Sequence, residues 1–234
     1  MLCTEEIVRG NIRNRDGKRV FFLGAKDTLT PGARDFLQRE RIEIRSAQEA
    51  AITEYKLLSG AVLREKPEHM THLHGDVLVP KTHPRIAFRG AMDTLESELL
   101  WCQFSVQQPY SDQIGEILSH ARELIRCEVL SQPVAQDKLC GLTEAQLRSH
   151  SHHPQEHYGQ PHFMPSAADG QTVLLLNRCR CAVRSAELAA AKAFTDSDGN
   201  CTRPDILQAL NRMSSMVYIL MIQAKSKSGK GVNL

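Results

Sequence analysis

Residues 203–222, RPDILQALNRMSSMVYILMI, read as a helix that opens at Arg203-Pro204-Asp205 and is apolar over most of its length. Pro204 suits the first helical position, where its missing N–H would have had no intrahelical partner. A helix this apolar has to be surrounded by other helices. Asn211 and Arg212 interrupt the apolar run. The helix is predicted to end near Ala224, leaving residues 226–234 as a frayed polar tail.

Working back along the chain, the same periodicity recurs. Segment 169–195 is rich in Leu and Ala. Segment 111–130 opens at Ser111-Asp112, a good capping pair, and continues with Ile114, Ile117, Leu118, Ala121, Leu124, Ile125 and Val129 on one face. Segment 85–107 carries Phe88, Met92, Leu95, Leu99 and Cys102 at three- and four-residue spacing. Thr143 caps a short helix that ends before a run of histidines. The expected fold is therefore mainly α, an antiparallel bundle of about five helices over residues 71–225.

The first residues differ. RVFFLG (19–24) reads as a buried strand. LTPGARDFLQRERIEI (29–44) supplies a helix with Thr30 as N-cap and Pro31 at its first position, ending near Arg39, then a strand at Ile42–Ile44. That gives a small α+β attachment over residues 1–45, joined to the bundle by a connection at 46–70.

With 41% hydrophobic and 24% charged residues, the chain can bury a real core. A formal charge of +2 gives no support to nucleic-acid binding, so an anionic ligand would need a local cluster of cations. The seven cysteines include no C-x-x-C pair, which fits reduced thiols better than a disulfide framework or zinc ribbon. MLCTEEIVRGNIRNR has acids and no apolar run, and the apolar stretch at 216–222 is too short to span a bilayer. A soluble, cytoplasmic protein with no membrane contact is expected.

In NRCRCAVRSAELAAAKAF (177–194), Arg180, Arg184 and Glu187 share one helix face. The spacing suits a solvated face with an Arg184–Glu187 pair. Spacing alone favours that solvated face; the sharper alternative is a phosphate clamp of forked arginine donors, with Asn211 adding an amide and Glu187 orienting an arginine or a magnesium-bound water. A second cluster, THLHGDVLVPKTHPRIAFRGAMDTLE (71–96), places a Gly75-Asp76 turn ahead of Lys81 and Arg85 at a helix start. RSHSHHPQEHYGQPHF (148–163) holds five of the ten histidines. It is poor metal-binding material, because Pro154 separates His153 from His157, and it reads as a polar loop between helices.

Three of these segments resemble ATP:corrinoid adenosyltransferases. ALNRMSS (209–215) is similar to that family's L-N-R-L-S-D signature, and RCAVRSAEL (180–188) to its R-x-x-x-R-x-A-E pattern. VPKTHPRIAFRGAMDTLE (79–96) matches a third family segment at Lys81, Arg85, Gly90, Asp93 and Leu95. The ethanolamine-utilisation branch matches over most of the chain, including the N-terminal attachment. Departures are Ser215, Thr94 and Leu188 where the family often has Asp, an acid and Arg. The glycine-rich loop is present only as Thr71 and Gly75-Asp76. No cysteine occurs in residues 46–70, so no structural transition metal is expected.

The resemblance implies an enzyme that binds ATP between subunits of a homo-oligomer, with a trimer favoured over a dimer. The cobalt of cob(I)alamin would attack the 5′ carbon of ATP, giving adenosylcobalamin and triphosphate. Lys81, Arg180, Arg184, Arg212, Asn211, Arg85, Thr71 and Gly75 are then the expected ATP-binding residues, with magnesium carried by the nucleotide. Arg184, Glu187 and Arg180 are the catalytic candidates, and Glu187 alone is a candidate for touching the metal. Arg85 and Asp93 are alternatively expected to tie subunits together. His152 and His162, which fall on a sparser branch pattern, are expected in a lid over the corrinoid or nucleotide. A supply role for ethanolamine ammonia-lyase, a reductase and microcompartment proteins are the implied context. The competing readings are a non-catalytic scaffold and a histidine-based metal module.

Overall fold

The computed structural model describes residues 1–15, 17–47, 54–135 and 138–230, which fall into two compact units, Met1–Pro80 and Lys81–Leu234. In chain order the first unit contains β1 (Leu2–Cys3), α1 (Glu5–Gly10), β2 (Arg13–Arg15), β3 (Lys18–Leu23), β4 (Thr28–Leu29), α2 (Pro31–Arg39), β5 (Glu43–Ser46), β6 (Tyr55–Leu57), β7 (Val62–Leu63), β8 (Met70–His74) and β9 (Val77–Pro80). The expected cap is formed: Thr30 Oγ1 accepts from the Ala33 N–H at 3.3 Å. Val8, Phe21, Ala33, Phe36 and Leu37 bury the inner faces of α1, α2 and the sheet β2-β3-β5.

Residues 54–80 form a four-stranded sheet, β7-β6-β9-β8, although 46–70 reads as a connection in the sequence. β6 and β7 have three and two residues, too short to show an alternation. β6 exists because it pairs in parallel with β9, Lys56 opposite Val77 and Leu57 opposite Leu78. That partner lies about twenty residues away and local pattern cannot reveal it. Gly75 turns β8 into β9 at φ +50°, the left-handed region glycine enters at least cost.

The second unit contains α3 (Pro84–Ser105), α4 (Tyr110–Val129), the hairpin β10 (Lys138–Leu139) and β11 (Leu142–Thr143), α5 (Glu144–His152), α6 (Pro154–Tyr158), a 3₁₀ turn at Ala167–Asp169, α7 (Gly170–Phe194) and α8 (Pro204–Lys230). Four helices are long, and α5 and α6 are short pieces packed on α8. The class is mainly helical, as expected. α8 continues to Lys230, past the predicted end near Ala224; residues 231–234 of the predicted tail lie outside the described residues. α4 begins one residue before Ser111-Asp112, with no side-chain cap, because the buried Tyr110 fixes its first turn by packing. The β10–β11 hairpin, too short to show a period, was not anticipated.

The apolar stripes meet as their spacing requires. Phe88, Met92, Leu95, Leu99 and Cys102 of α3 pack with Val173, Leu176, Cys179 and Val183 of α7 and Leu210, Met213 and Val217 of α8. α3 and α7 run antiparallel: Phe88 meets Phe194 edge-on at 5.4 Å, while Cys179 Sγ donates to the Glu98 carbonyl. α7 and α8 are antiparallel too, with polar rungs at Glu187–Asn211, Arg180–Tyr218 and Asp169–Lys225. These rungs define where the site lies.

Candidate active site

Asn177, Arg180 and Arg184 follow one another at three- and four-residue spacing on α7, so their side chains share a face. Asn211, Ser214, Ser215, Tyr218 and Met221 form the facing stripe of α8. Between the two stripes runs an open cleft of about 680 Å³, with Ser151, His152 and the segment His162–Pro165 along its edge. That volume is within the range of small-molecule sites.

The two arginines differ from most of the other arginines of this unit. Arg122, Arg126, Arg178 and Arg203 each hold a carboxylate, on Glu96, Glu123, Glu98 and Asp205. Among the described residues, Arg180 and Arg184 have no carboxylate partner. Arg180 instead lies over the Tyr218 ring, 5.2 Å from its centroid. Glu187 does not form the i,i+3 pair with Arg184 that a solvated face would favour; its Oε1 accepts from Asn211 Nδ2 at 3.1 Å. Two guanidinium groups one helical turn apart, unneutralised and facing a cleft, make an anion-binding surface.

The histidine-rich stretch is helical over much of its length, contrary to its reading as a loop. Pro154 does not break a helix here but starts α6, where its fixed φ fits the first position. His150 on α5 stacks on His157 of α6 at 3.8 Å, and its Nδ1 hydrogen-bonds the Tyr158 hydroxyl at 2.7 Å. Burial and the neighbouring His157 hold His150 below the usual histidine range. Only His152 and His162 reach the cleft. His162 Nε2 lies 3.2 Å from the His152 carbonyl, and its Nδ1 lies 2.8 Å from the Tyr218 hydroxyl. A carbonyl only accepts, so Nε2 carries the proton; in the neutral ring Nδ1 then accepts from Tyr218. Asp169 anchors the far end of this segment, accepting from Ser166 N–H at 2.7 Å and from Lys225 Nζ, and the Lys225 contact holds its carboxyl below the usual range.

Arg180, Arg184, Asn211, His152 and His162 are thus brought together, with Glu187 tied in through Asn211. Arg212 is not. Consecutive helical residues point about 100° apart, so Asn211 and Arg212 cannot both face the cleft. Arg212 turns to a separate cavity of about 90 Å³ lined with Lys138, Leu139, Leu147 and Asp205, 3.8 Å from Glu144, while its Nη2 donates to Asn211 Oδ1 at 2.9 Å. Arg212, expected at the phosphates, does not line this cleft and supports Asn211 instead.

Arg85 is also elsewhere. Its Nε donates to Glu128 Oε1 at 2.7 Å, and Arg89 takes Oε2 of the same fully buried carboxylate at 2.8 Å. Arg85 packs by Phe194, ten residues and so about 15 Å along α7 from Arg184. Arg85 is thus engaged with a buried acid and is not among the cleft residues. Asp93 is exposed on α3 near Arg122. Lys81 lies just before the α3 cap at His83 and is not among the cleft residues. Thr71 is in β8 and Gly75 in the following turn, both in the first unit. Sequence reasoning missed Asn177, Ser214 and Tyr218; Asn177 was detectable, since it shares the spacing of the two arginines. Among the described residues, no group of three or more His, Cys, Asp or Glu could hold a metal ion.

Helices that present paired arginines and an Asn–Glu rung to an open cleft find their match in a known family. The cobalamin adenosyltransferase family model matches residues 61–224, and the chain belongs to that family. Within it, the chain is similar to the corrinoid adenosyltransferase EutT of Salmonella typhimurium, at 31% identity over 96% of this chain and 92% of that protein. The EutT of Escherichia coli K12 is 30% identical with the same coverage. Among solved structures, a variant PduO-type ATP:corrinoid adenosyltransferase from Lactobacillus reuteri, complexed with cobalamin and ATP, shares the fold. Its TM-score is 0.54 at 17% identity, covering 69% of this chain and 91% of that one. No helix among the described residues is long and apolar enough to cross a membrane.

Proposed function

We propose that this chain transfers the 5′-deoxyadenosyl group of ATP to cob(I)alamin. The cobalt–carbon bond forms as the C5′–oxygen bond breaks, cobalt(I) becomes alkyl-cobalt(III), and triphosphate leaves with the bonding electrons. The observation that carries this reading is the pair Arg180–Arg184, two uncompensated guanidinium groups in the cleft of a chain from the cobalamin adenosyltransferase family. The name and coverage of the EutT relatives support it.

Cobalt is itself the nucleophile, so the protein's task is to position reactants and to stabilise charge. Arg180 and Arg184 bind the triphosphate and take up the charge it gains on leaving. Asn211 holds the nucleotide and is itself oriented by Glu187 and Arg212. Magnesium arrives with ATP. It keeps most of its waters, so one carboxylate, Glu187, is a sufficient protein contribution. Lys81, Thr71 and Gly75 complete ATP binding in the oligomer, for which a trimer with the site between subunits is the favoured form. His152 and His162 belong to a lid over the reactants. The product supplies ethanolamine ammonia-lyase, with a reductase and a microcompartment as the setting.

The test mixes protein, MgATP and chemically reduced cobalamin. Loss of the cobalt(I) spectrum with formation of adenosylcobalamin and one triphosphate per turnover is expected. Binding of both reactants without transfer would leave a non-catalytic family member.

A further inference from the structure

The lid residue His162 and the phosphate-facing Arg180 share no hydrogen bond or ring contact, yet each is in contact with Tyr218. Arg180 lies 5.2 Å from the Tyr218 ring centroid, within cation–π range. The His162 ring runs parallel to the same ring, at 9° and 5.8 Å, and accepts the Tyr218 hydroxyl at 2.8 Å. The other His162 nitrogen donates to the His152 carbonyl at the end of α5. Seven residues on, the same face of α8 carries Lys225, which holds Asp169 and lies 4.5 Å from the Phe163 ring. The segment 162–169 is therefore fastened to α8 at two points, and only the Tyr218 point also holds a clamp arginine.

We infer that Tyr218 is a positioning residue that couples triphosphate engagement by Arg180 to the seating of the His162 segment, so that bound ATP tightens corrinoid binding. The inference rests on the proposed adenosyltransferase reading. Its ring presents Arg180 to the anion and its hydroxyl fixes His162; an arginine held in place by phosphate holds the ring, and the ring holds the lid. Coupling of this kind is a ratio of affinities, so it is measured separately from either affinity alone.

The experiment measures, on the full chain, the dissociation constant of cob(II)alamin with and without saturating MgATP, and that of MgATP alone. In the wild type, MgATP is expected to tighten cob(II)alamin binding. Tyr218→Phe keeps the ring under Arg180 and removes one hydrogen bond. It should hold MgATP affinity within about twofold and lower the coupling ratio about fivefold. Tyr218→Leu should weaken MgATP as well. The double variant Tyr218→Phe/His162→Ala should lose no more coupling than His162→Ala alone, because that variant already removes the hydrogen bond that Tyr218→Phe removes. Unchanged coupling in Tyr218→Phe, additive losses in the double variant, or no coupling in a wild type that binds both ligands and turns over, overturns the inference and leaves the adenosyltransferase reading standing. A wild type that binds no corrinoid overturns both.

Discussion

The side-chain amide of Asn211 donates to Glu187 at 3.1 Å, linking α8 to α7 directly beside the uncompensated Arg184. This rung leaves Glu187 occupied by an amide instead of a guanidinium. Among the described residues Arg184 has no carboxylate partner and faces the cleft, open to an anion.

Arg184→Ala should lose nearly all adenosyl transfer while remaining folded. Loss of a positioned donor to developing charge costs roughly 100- to 1,000-fold in turnover. The check is kcat and KM for ATP beside a thermal melt. Arg184 is exposed, so the melt should not move. Activity near wild type would remove Arg184 from the clamp.

Glu187→Gln should separate charge from shape. The glutamine can still accept from Asn211, but it no longer balances nearby cations or attracts a magnesium-bound water. An increase in the magnesium concentration needed for half-maximal activity is expected, with little change in melting temperature. An unaltered magnesium dependence would confine Glu187 to orienting Asn211.

Glu128 is fully buried and shared by Arg85 and Arg89. Removing one partner of a buried ion pair costs about 3–5 kcal/mol, because charge is left uncompensated. Glu128→Ala should therefore lower stability strongly, measured by urea unfolding. Arg85→Ala should act in the same direction more weakly, since Arg89 still holds the carboxylate. If Arg85→Ala instead raised KM for ATP with unchanged stability, Arg85 would belong to the nucleotide site after all.

Asp205 is held down to about 2, first by the Arg203 side chain and then by the Val134 N–H at 2.9 Å. Its folded value lies below its unfolded one. The stability it contributes is thus present above about pH 4 and is lost as pH falls toward 2, a loss of about 2 kcal/mol. Unfolding of wild type and Asp205→Asn, compared between pH 6 and pH 2, should show the gap between them closing at low pH. A constant gap would mean that the Arg203 contact is not electrostatic in origin.

His162→Ala should weaken corrinoid binding more than His152→Ala. His162 uses both ring nitrogens, whereas His152 contributes its backbone carbonyl to that contact, which alanine retains. Equal affinities for both variants and the wild type would end the lid assignment.

The long helices were legible because their apolar spacing is local: Phe88 to Cys102, Ile114 to Leu124 and the dense run from Ile206 to Ile222 each state which face is buried. The pair Arg180–Arg184 and its companion Glu187 were legible for the same reason, and the motifs around them point to the family. Partners could not be read this way. Arg85 and Arg180 are the same residue type on similar helices, yet one neutralises a buried acid forty-three residues away and the other faces an open cleft. Asn211 and Arg212 are neighbours that helical geometry sends to different cavities. Sequence alone determined the helices, their inward faces and a cationic stripe on α7, because these follow from a fixed period of 3.6 residues. Which charges are compensated, which histidines reach the cleft and where Tyr218 stands between them depend on contacts between distant segments. Only tertiary packing decides those.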